Sequence, residues 1–375
     1  MIRVIHIVER LHQNAIENWL VRAFFESSRR SEDVHWGFYC DSGQAGRWDQ
    51  RLREAGADVF YSPFRPTKAK YMQALRRTIK AGSFNVMHCH GDIMSAFPLL
   101  ASVGLALDRR VLHVHNASQR LPTPKRWKQR LLREPMRRTC LQLADRIVGI
   151  SHHTLATFLK NKPPRVGHDV ILPCGTDTRP FTAEPDPAEF RHSLDFPASA
   201  RILLFVGRMI PYKNPLFVLD MLADLAKLDS SVVACFIGTG LLESELENAA
   251  KQKSLLDRIR LLGWRDDIAR IMKVSDLLVF PNIEETKEGL GLAVVEAQAA
   301  GLPMVLSLGA TEEAVVVPEL SHVVPLSRGP KGWARRAAEI LSSPSPDRQA
   351  CLRKVERSHL SLTSSVSGLM ALYQN

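Results

Sequence analysis

The chain has 375 residues, 45% hydrophobic and 24% charged, which is too long for one ordinary core, fits two domains and excludes general disorder. No stretch approaches the roughly 18 apolar residues of a membrane span, and Arg3, His6, Glu9 and Arg10 interrupt the first apolar run, against a secretory leader. The net charge of +11 belongs to the first half, since residues 1–185 carry 29 Lys and Arg against 16 Asp and Glu, whereas residues 186–375 carry 21 against 23, so the first half is expected to meet an acidic partner.

Short apolar runs alternate with longer periodic segments, the rhythm of parallel sheets flanked by helices. In the first half strands are predicted at 4–8, 34–39, 58–61, 86–89, 111–114, 147–150 and 170–172, with helices at 16–26 and 71–80. Ser151-His152-His153 reads as a helix cap. Residues 173–197, crowded with prolines and acids, read as a domain boundary and hinge. In the second half strands are predicted at 203–206, 232–237, 259–262, 277–280, 303–306 and 323–324, with helices at 216–228, 243–253 and 268–272 and further helices over 347–373. The fold class is α/β, with two doubly wound Rossmann-like domains over 1–180 and 195–345 and C-terminal helices over 346–375. Ligands bind at the carboxyl ends of such strands, which places the expected site in a cleft where the two sheets face each other. Cys40, Cys89, Cys140, Cys174, Cys235 and Cys351 show neither CxxC nor metal-ligand spacing, as in a reducing, cytoplasmic setting.

The densest chemical signal is Glu288-Gly289-Leu290-Gly291-Leu292-Ala293-Val294-Val295-Glu296. Its glycines let backbone approach a ligand, and a helix starting near Leu292 would aim unpaired amides at a phosphate. Glu296, among apolar neighbours, suits the vicinal hydroxyls of a ribose. Glu288 has acidic neighbours in Glu284 and Glu285, so solvation competes with function there. Upstream, Gly207-Arg208 and Lys213 follow a strand end, where two fixed cations can hold a diphosphate. His115 stands at the carboxyl end of the strand 111–114, and Trp264 follows the strand 259–262. His88 and His90 suggest a metal, but no carboxylate pair or DxD accompanies them, and no metal or cofactor is expected.

This string resembles the E-x7-E signature of the family 4 retaining glycosyltransferases, which use nucleotide sugars and have the GT-B fold. Phe205–Asn214, Phe236–Gly240, Leu261–Trp264, Ser275–Pro281, Ala144–Ser151 and Pro173–Asp177 match that family in order. The likeness is good over residues 85–375 and loose before them. It implies two domains facing across a cleft and a C-terminal helix crossing back to the first. The implied activity is retaining, metal-independent transfer of a sugar from a nucleoside-diphosphate sugar, UDP-linked by preference, to a glycan or lipid-linked acceptor in capsule or other surface polysaccharide synthesis. Arg208, Lys213, Glu288 and His115 would be catalytic, with Glu288 on sugar hydroxyls and His115 bordering the transferred sugar. Gly207, Gly289, Leu290, Gly291, Leu292, Glu296 and Trp264 would hold the donor.

One departure lies in the loop after the first strand, Arg10–Glu17, which lacks the family's Gly-Gly pair. Asn14 is expected to replace it in part, because Asn tolerates unusual backbone angles. The departure leaves open a non-catalytic subunit that partners an active transferase, with a nucleotide-sugar epimerase as another alternative. Residues 120–138 interleave many cations with Trp127, Leu131 and Leu132 and have Glu134 as their sole acid. They are expected to lie on an anionic membrane surface, peripheral on the inner face of the plasma membrane. Inward-packed apolar residues are the alternative there, and no nucleic-acid motif accompanies the charge.

Overall fold

Two parallel sheets emerge from this alternation among the residues described by the computed structural model, namely 1–12, 14–116, 126–285 and 287–374. The first holds β1 (Ile2–Val8), β2 (Val34–Cys40), β3 (Asp58–Tyr61), β4 (Val86–Cys89), β5 (Arg109–Val114), β6 (Arg146–Gly149) and β7 (Asp169–Ile171), in the order β3-β2-β1-β4-β5-β6-β7. The second holds β8 (Arg201–Val206), β9 (Val232–Ile237), β10 (Ile259–Gly263), β11 (Leu277–Phe280), β12 (Met304–Leu306) and β13 (Ser321–Val323), in the order β10-β9-β8-β11-β12-β13. Parallel strands covered on both faces read as continuous apolar runs, and every residue of β9 is buried.

Each sheet reverses direction once. The chain runs outward from β1 to β3 and returns on the other side of β1 as β4; likewise it runs from β8 to β10 and returns beside β8 as β11. Such a switch point opens a crevice beyond the carboxyl ends of the two central strands. Both sheets thus have one.

The sheets belong to separate units, one of residues 1–175 with 362–375 and one of residues 176–361. The helix Leu362–Gln374 packs on the helix Ala15–Arg29 of the first unit, as the family resemblance implies. Its Ser365 Oγ accepts from Trp19 Nε1 at 3.0 Å and donates to the Pro173 carbonyl at 2.9 Å. The helix Arg348–Glu356 stays in the second unit, against Leu292–Ala299.

The division between the two units falls inside the proline-rich stretch, which also holds a helix. Asp186 accepts from the amides of Ala188 and Glu189, Pro187 takes the first helical position, and Pro187–Ser193 forms a helix that buries Phe190. A cap followed by proline is a helix start, because proline's missing N–H would have no partner there anyway. Ser151 does cap its helix, accepting from the Thr154 amide at 3.1 Å. All six cysteines are buried and free.

Candidate active site

The switch point of the second sheet gathers most of the candidate residues. After β8 the chain passes Gly207 and Arg208, and a single helical turn at Pro211–Lys213 folds Lys213 back over the strand end. A Cβ on Gly207 would sit 3.5 Å from Lys213 Cδ. Gly238, after β9, has φ +122°, and a Cβ there would lie 2.0 Å from the Gly207 carbonyl oxygen. The ends of β8 and β9 therefore meet backbone to backbone, with the Lys213 stem lying over Gly207.

Lys213 is buried and donates to Glu288 Oε2 at 2.5 Å. Tyr212 Oη donates to the same oxygen at 3.1 Å, and Asn282 Nδ2 donates to it as well. Glu288 Oε1 receives no donor among the described residues. The backbone of Glu288 is fixed too: its amide donates to the Gly309 carbonyl at 2.9 Å, and its carbonyl accepts from Thr311 Oγ1 at 2.5 Å. The Lys213 ammonium lies 5.0 Å from the centroid of the Phe280 ring, where the aromatic face also stabilises a cation. Burial first, and then the Glu288 charge, push the Tyr212 phenol far above its usual range, so it remains a donor. Arg208 is exposed and makes no side-chain hydrogen bond to a described residue.

Gly291 has φ +80° and caps the helix Leu292–Ala299, the start expected from the sequence. The amides of Gly289, Leu290, Gly291 and Leu292 find no acceptor among the described residues. They form a cluster of donors at a helix N-terminus, beside Lys213 and Glu288. Glu296 is half-buried one turn into that helix. Trp264 follows β10, two strands away from β8 at the edge of the sheet, and is half-buried.

The candidates of the first unit are placed differently. Asn14 is an exposed helix cap with φ −85° and ψ 161°, ordinary extended backbone. Its backbone therefore makes no use of the unusual angles that Asn tolerates. Glu17, in the first turn of the same helix, is buried, and burial raises its pKa.

His115 is buried with both ring nitrogens engaged. Nε2 is 3.0 Å from His90 Nδ1, and Nδ1 is 3.7 Å from Cys174 Sγ. Only its carbon edge is uncommitted. His115 belongs to a cluster with His6, His88, His90 and His113, all buried. Burial pushes His6 and His113 down to about 3 and holds His88, His90 and His115 well below the usual range, so every ring is uncharged. The sequence reading missed His6 and His113 as partners of His88 and His90. It also missed Tyr212, Asn282 and Thr311, of which only Tyr212 stood inside a motif it had singled out.

Residues 186–357 match the model of the glycosyl transferases group 1, and residues 26–175 match that of the glycosyl transferase 4-like domain. With a parallel α/β unit under each match, the chain is a glycosyltransferase of the group 1 type. Among its relatives, "Putative glycosyltransferase EpsF" of Bacillus subtilis (strain 168) is 26% identical over 99% of this chain and 96% of that protein. The UDP-Gal:alpha-D-GlcNAc-diphosphoundecaprenol alpha-1,3-galactosyltransferase of Escherichia coli is 25% identical over 64% of this chain, a match that spans 61% of that enzyme. Anabaena Alr3699/HepE in complex with UDP has a TM-score of 0.77 at 16% identity, with 99% of each chain covered. WaaG, a glycosyltransferase involved in lipopolysaccharide biosynthesis, has a TM-score of 0.73 at 15% identity over the whole of both chains. The fold is GT-B.

Proposed function

We propose that the protein transfers a sugar, with retention of configuration, from a nucleoside-diphosphate sugar to an acceptor hydroxyl in bacterial surface polysaccharide or glycolipid synthesis. The observation that carries this reading is the second sheet's switch point. There a glycine floor, the Lys213–Glu288 pair and the amides of Gly289–Leu292 stand together. Lys213 and Arg208 take the diphosphate and the charge that grows on it as the sugar leaves, the work a divalent cation does elsewhere. Lys213 spends one N–H on Glu288 and has two more to offer. Glu288 keeps Oε1 for a sugar hydroxyl while Oε2 anchors the loop. Glu296 takes the ribose. The leaving phosphate oxygen removes the acceptor proton on the same face of the sugar, with no covalent carboxylate intermediate. Uridine is the proposed base, supported by the UDP bound in HepE.

The acceptor is proposed to be lipid-linked, reached by docking on an anionic membrane. Trp127, Leu131 and Leu132, on the helix Arg126–Leu143, are 59%, 63% and 45% exposed, which supports docking over inward packing. Glu134, the sole acid of 120–138, is bound by Arg137 at 2.7 Å and Lys160 at 2.6 Å, so it does not repel an anionic surface. Residues 120–125 of this segment lie outside the described residues. No helix among the described residues is long and apolar enough to cross a membrane.

A panel of nucleoside-diphosphate sugars, scored by thermal stabilisation and then by hydrolysis, tests the donor. A bound donor at about 100 Kd stabilises the native state by about 2.7 kcal/mol. Absence of any shift, UDP-sugars included, removes this reading. Sedimentation with anionic vesicles tests the docking: binding falls with salt and with Trp127→Ser, and no binding at low salt makes the acceptor a soluble one.

A further inference from the structure

We infer that the buried histidines of the first sheet hold one late first-row transition-metal ion per chain, of the zinc, cobalt or nickel kind. Sheet register explains how they meet. His6 of β1 pairs with His88 of β4, and His88 pairs with Val111 of β5. Side chains repeat every second residue, so His6, His88, His90, His113 and His115 all project from one face of three adjacent strands. The ligand atoms of His6, His88 and His90 lie within 4.8 Å of one another, and so do those of His90, His113 and His115.

Hydrogen-bond accounting argues against a purely packing role. His113 Nε2 is 3.0 Å from the Leu172 carbonyl and can only donate to it, which leaves Nδ1 as a bare lone pair. His88 uses Nδ1 on the Tyr373 hydroxyl at 2.7 Å. His6 Nε2, His88 Nε2 and His113 Nδ1 are buried with no partner. Three orphaned ring nitrogens in one cluster are costly where an apolar ring would stack as well on Trp36 or pack as well against the edge of Trp19. An ion at either triad gives one of them a purpose, His88 Nε2 in the first or His113 Nδ1 in the second. The Tyr373 hydroxyl on His88, or the Leu172 carbonyl on His113, then holds the ligating ring in orientation, as outer-shell partners of metal-bound imidazoles do.

The donor set selects the ion. Neutral nitrogens without a carboxylate suit late transition metals and exclude magnesium and calcium. Tetrahedral N–metal bonds of about 2.0–2.1 Å set ligand nitrogens about 3.3 Å apart. His6 Nδ1 and His90 Nε2 already stand at 3.0 Å, as do His90 Nδ1 and His115 Nε2. His90 is common to both triads, and while one of its nitrogens binds metal the other carries its proton towards the remaining histidine. One ion per chain follows.

The test uses the untagged full chain, stripped by chelation and titrated with Co2+ and Zn2+. One equivalent is expected to bind, giving tetrahedral Co2+ bands and raising Tm, and His90→Gln is expected to lose both. X-ray absorption on zinc-loaded wild type, which needs no variant to fold, is expected to show imidazole scattering. No saturable binding, an unchanged stoichiometry in His90→Gln, or a shell without imidazole overturns the site; the orphaned nitrogens would then be met by buried water.

Discussion

The two switch points share a topology and differ in how they treat charge. At the carboxyl ends of β8 and β11, Lys213 and Glu288 form an ion pair, and Arg208 stands exposed after β8. At the carboxyl ends of the first sheet, burial moves each shifted group towards its neutral form: five histidines lose their proton, while Glu17 and Asp41 hold theirs more tightly. Burial favours the uncharged state unless a partner opposes it. The same crevice can thus be built for a charged ligand or for neutral hydrogen-bonding groups, and the side chains that turn inward decide which.

Lys213→Ala is the strongest way to break that contrast. It should cut turnover by about 10²–10³, the usual cost of one transition-state donor, while circular dichroism shows the fold unchanged. Retention of more than about a tenth of wild-type rate would mean that the charge at this crevice is structural. A smaller effect separates the two carboxylates. Glu288→Gln should lower turnover by about 10–100-fold, the range of a lost charged hydrogen bond, with nucleoside-diphosphate affinity little changed. Glu296→Ala should instead weaken that affinity about tenfold with less effect on turnover. Calorimetric titration with UDP distinguishes them, and equal losses of affinity would erase the division between sugar and ribose contacts.

The smallest effect belongs to the first sheet. Burial lifts the Asp41 carboxyl to about 7 from its ordinary 3.8, and Tyr71 Oη donates to it at 2.7 Å. The folded chain keeps this proton where the unfolded chain has released it. The contribution to stability is therefore whole below pH 3.8 and is lost as pH rises to about 7. Asp41→Asn, which imitates the protonated form, should raise Tm at pH 8 by about 2–4 °C for each kcal/mol recovered and leave it nearly unchanged at pH 4. An equal shift at both pH values would contradict the suppression of charge at this end of the first sheet.

What could be read from the sequence was local. The strands announced themselves as apolar runs, and Gly291 and Ser151 marked helix starts because caps act within a few residues. Asp186-Pro187 carried the same signal, yet the surrounding prolines hid it. Relations across the chain were invisible: Lys213 meets Glu288 over 75 residues, and His6 meets His90 over 84. Single histidines at alternate strand positions look like ordinary core residues until register lays three strands side by side. Asn14 keeps extended backbone, since tolerance of a conformation does not require its use.

The helix Leu362–Gln374 has a consequence for the order of events during synthesis. The first unit needs residues 362–375 to finish its own packing, yet they leave the ribosome only after the whole second unit. Until then Trp19 Nε1 lacks Ser365, His88 lacks Tyr373, and the apolar side of Ala15–Arg29 waits uncovered. Contacts of such long sequence separation close slowly, and exposed apolar surface in that interval invites aggregation. Of the two units, the one whose translation begins earlier is thereby the later to mature.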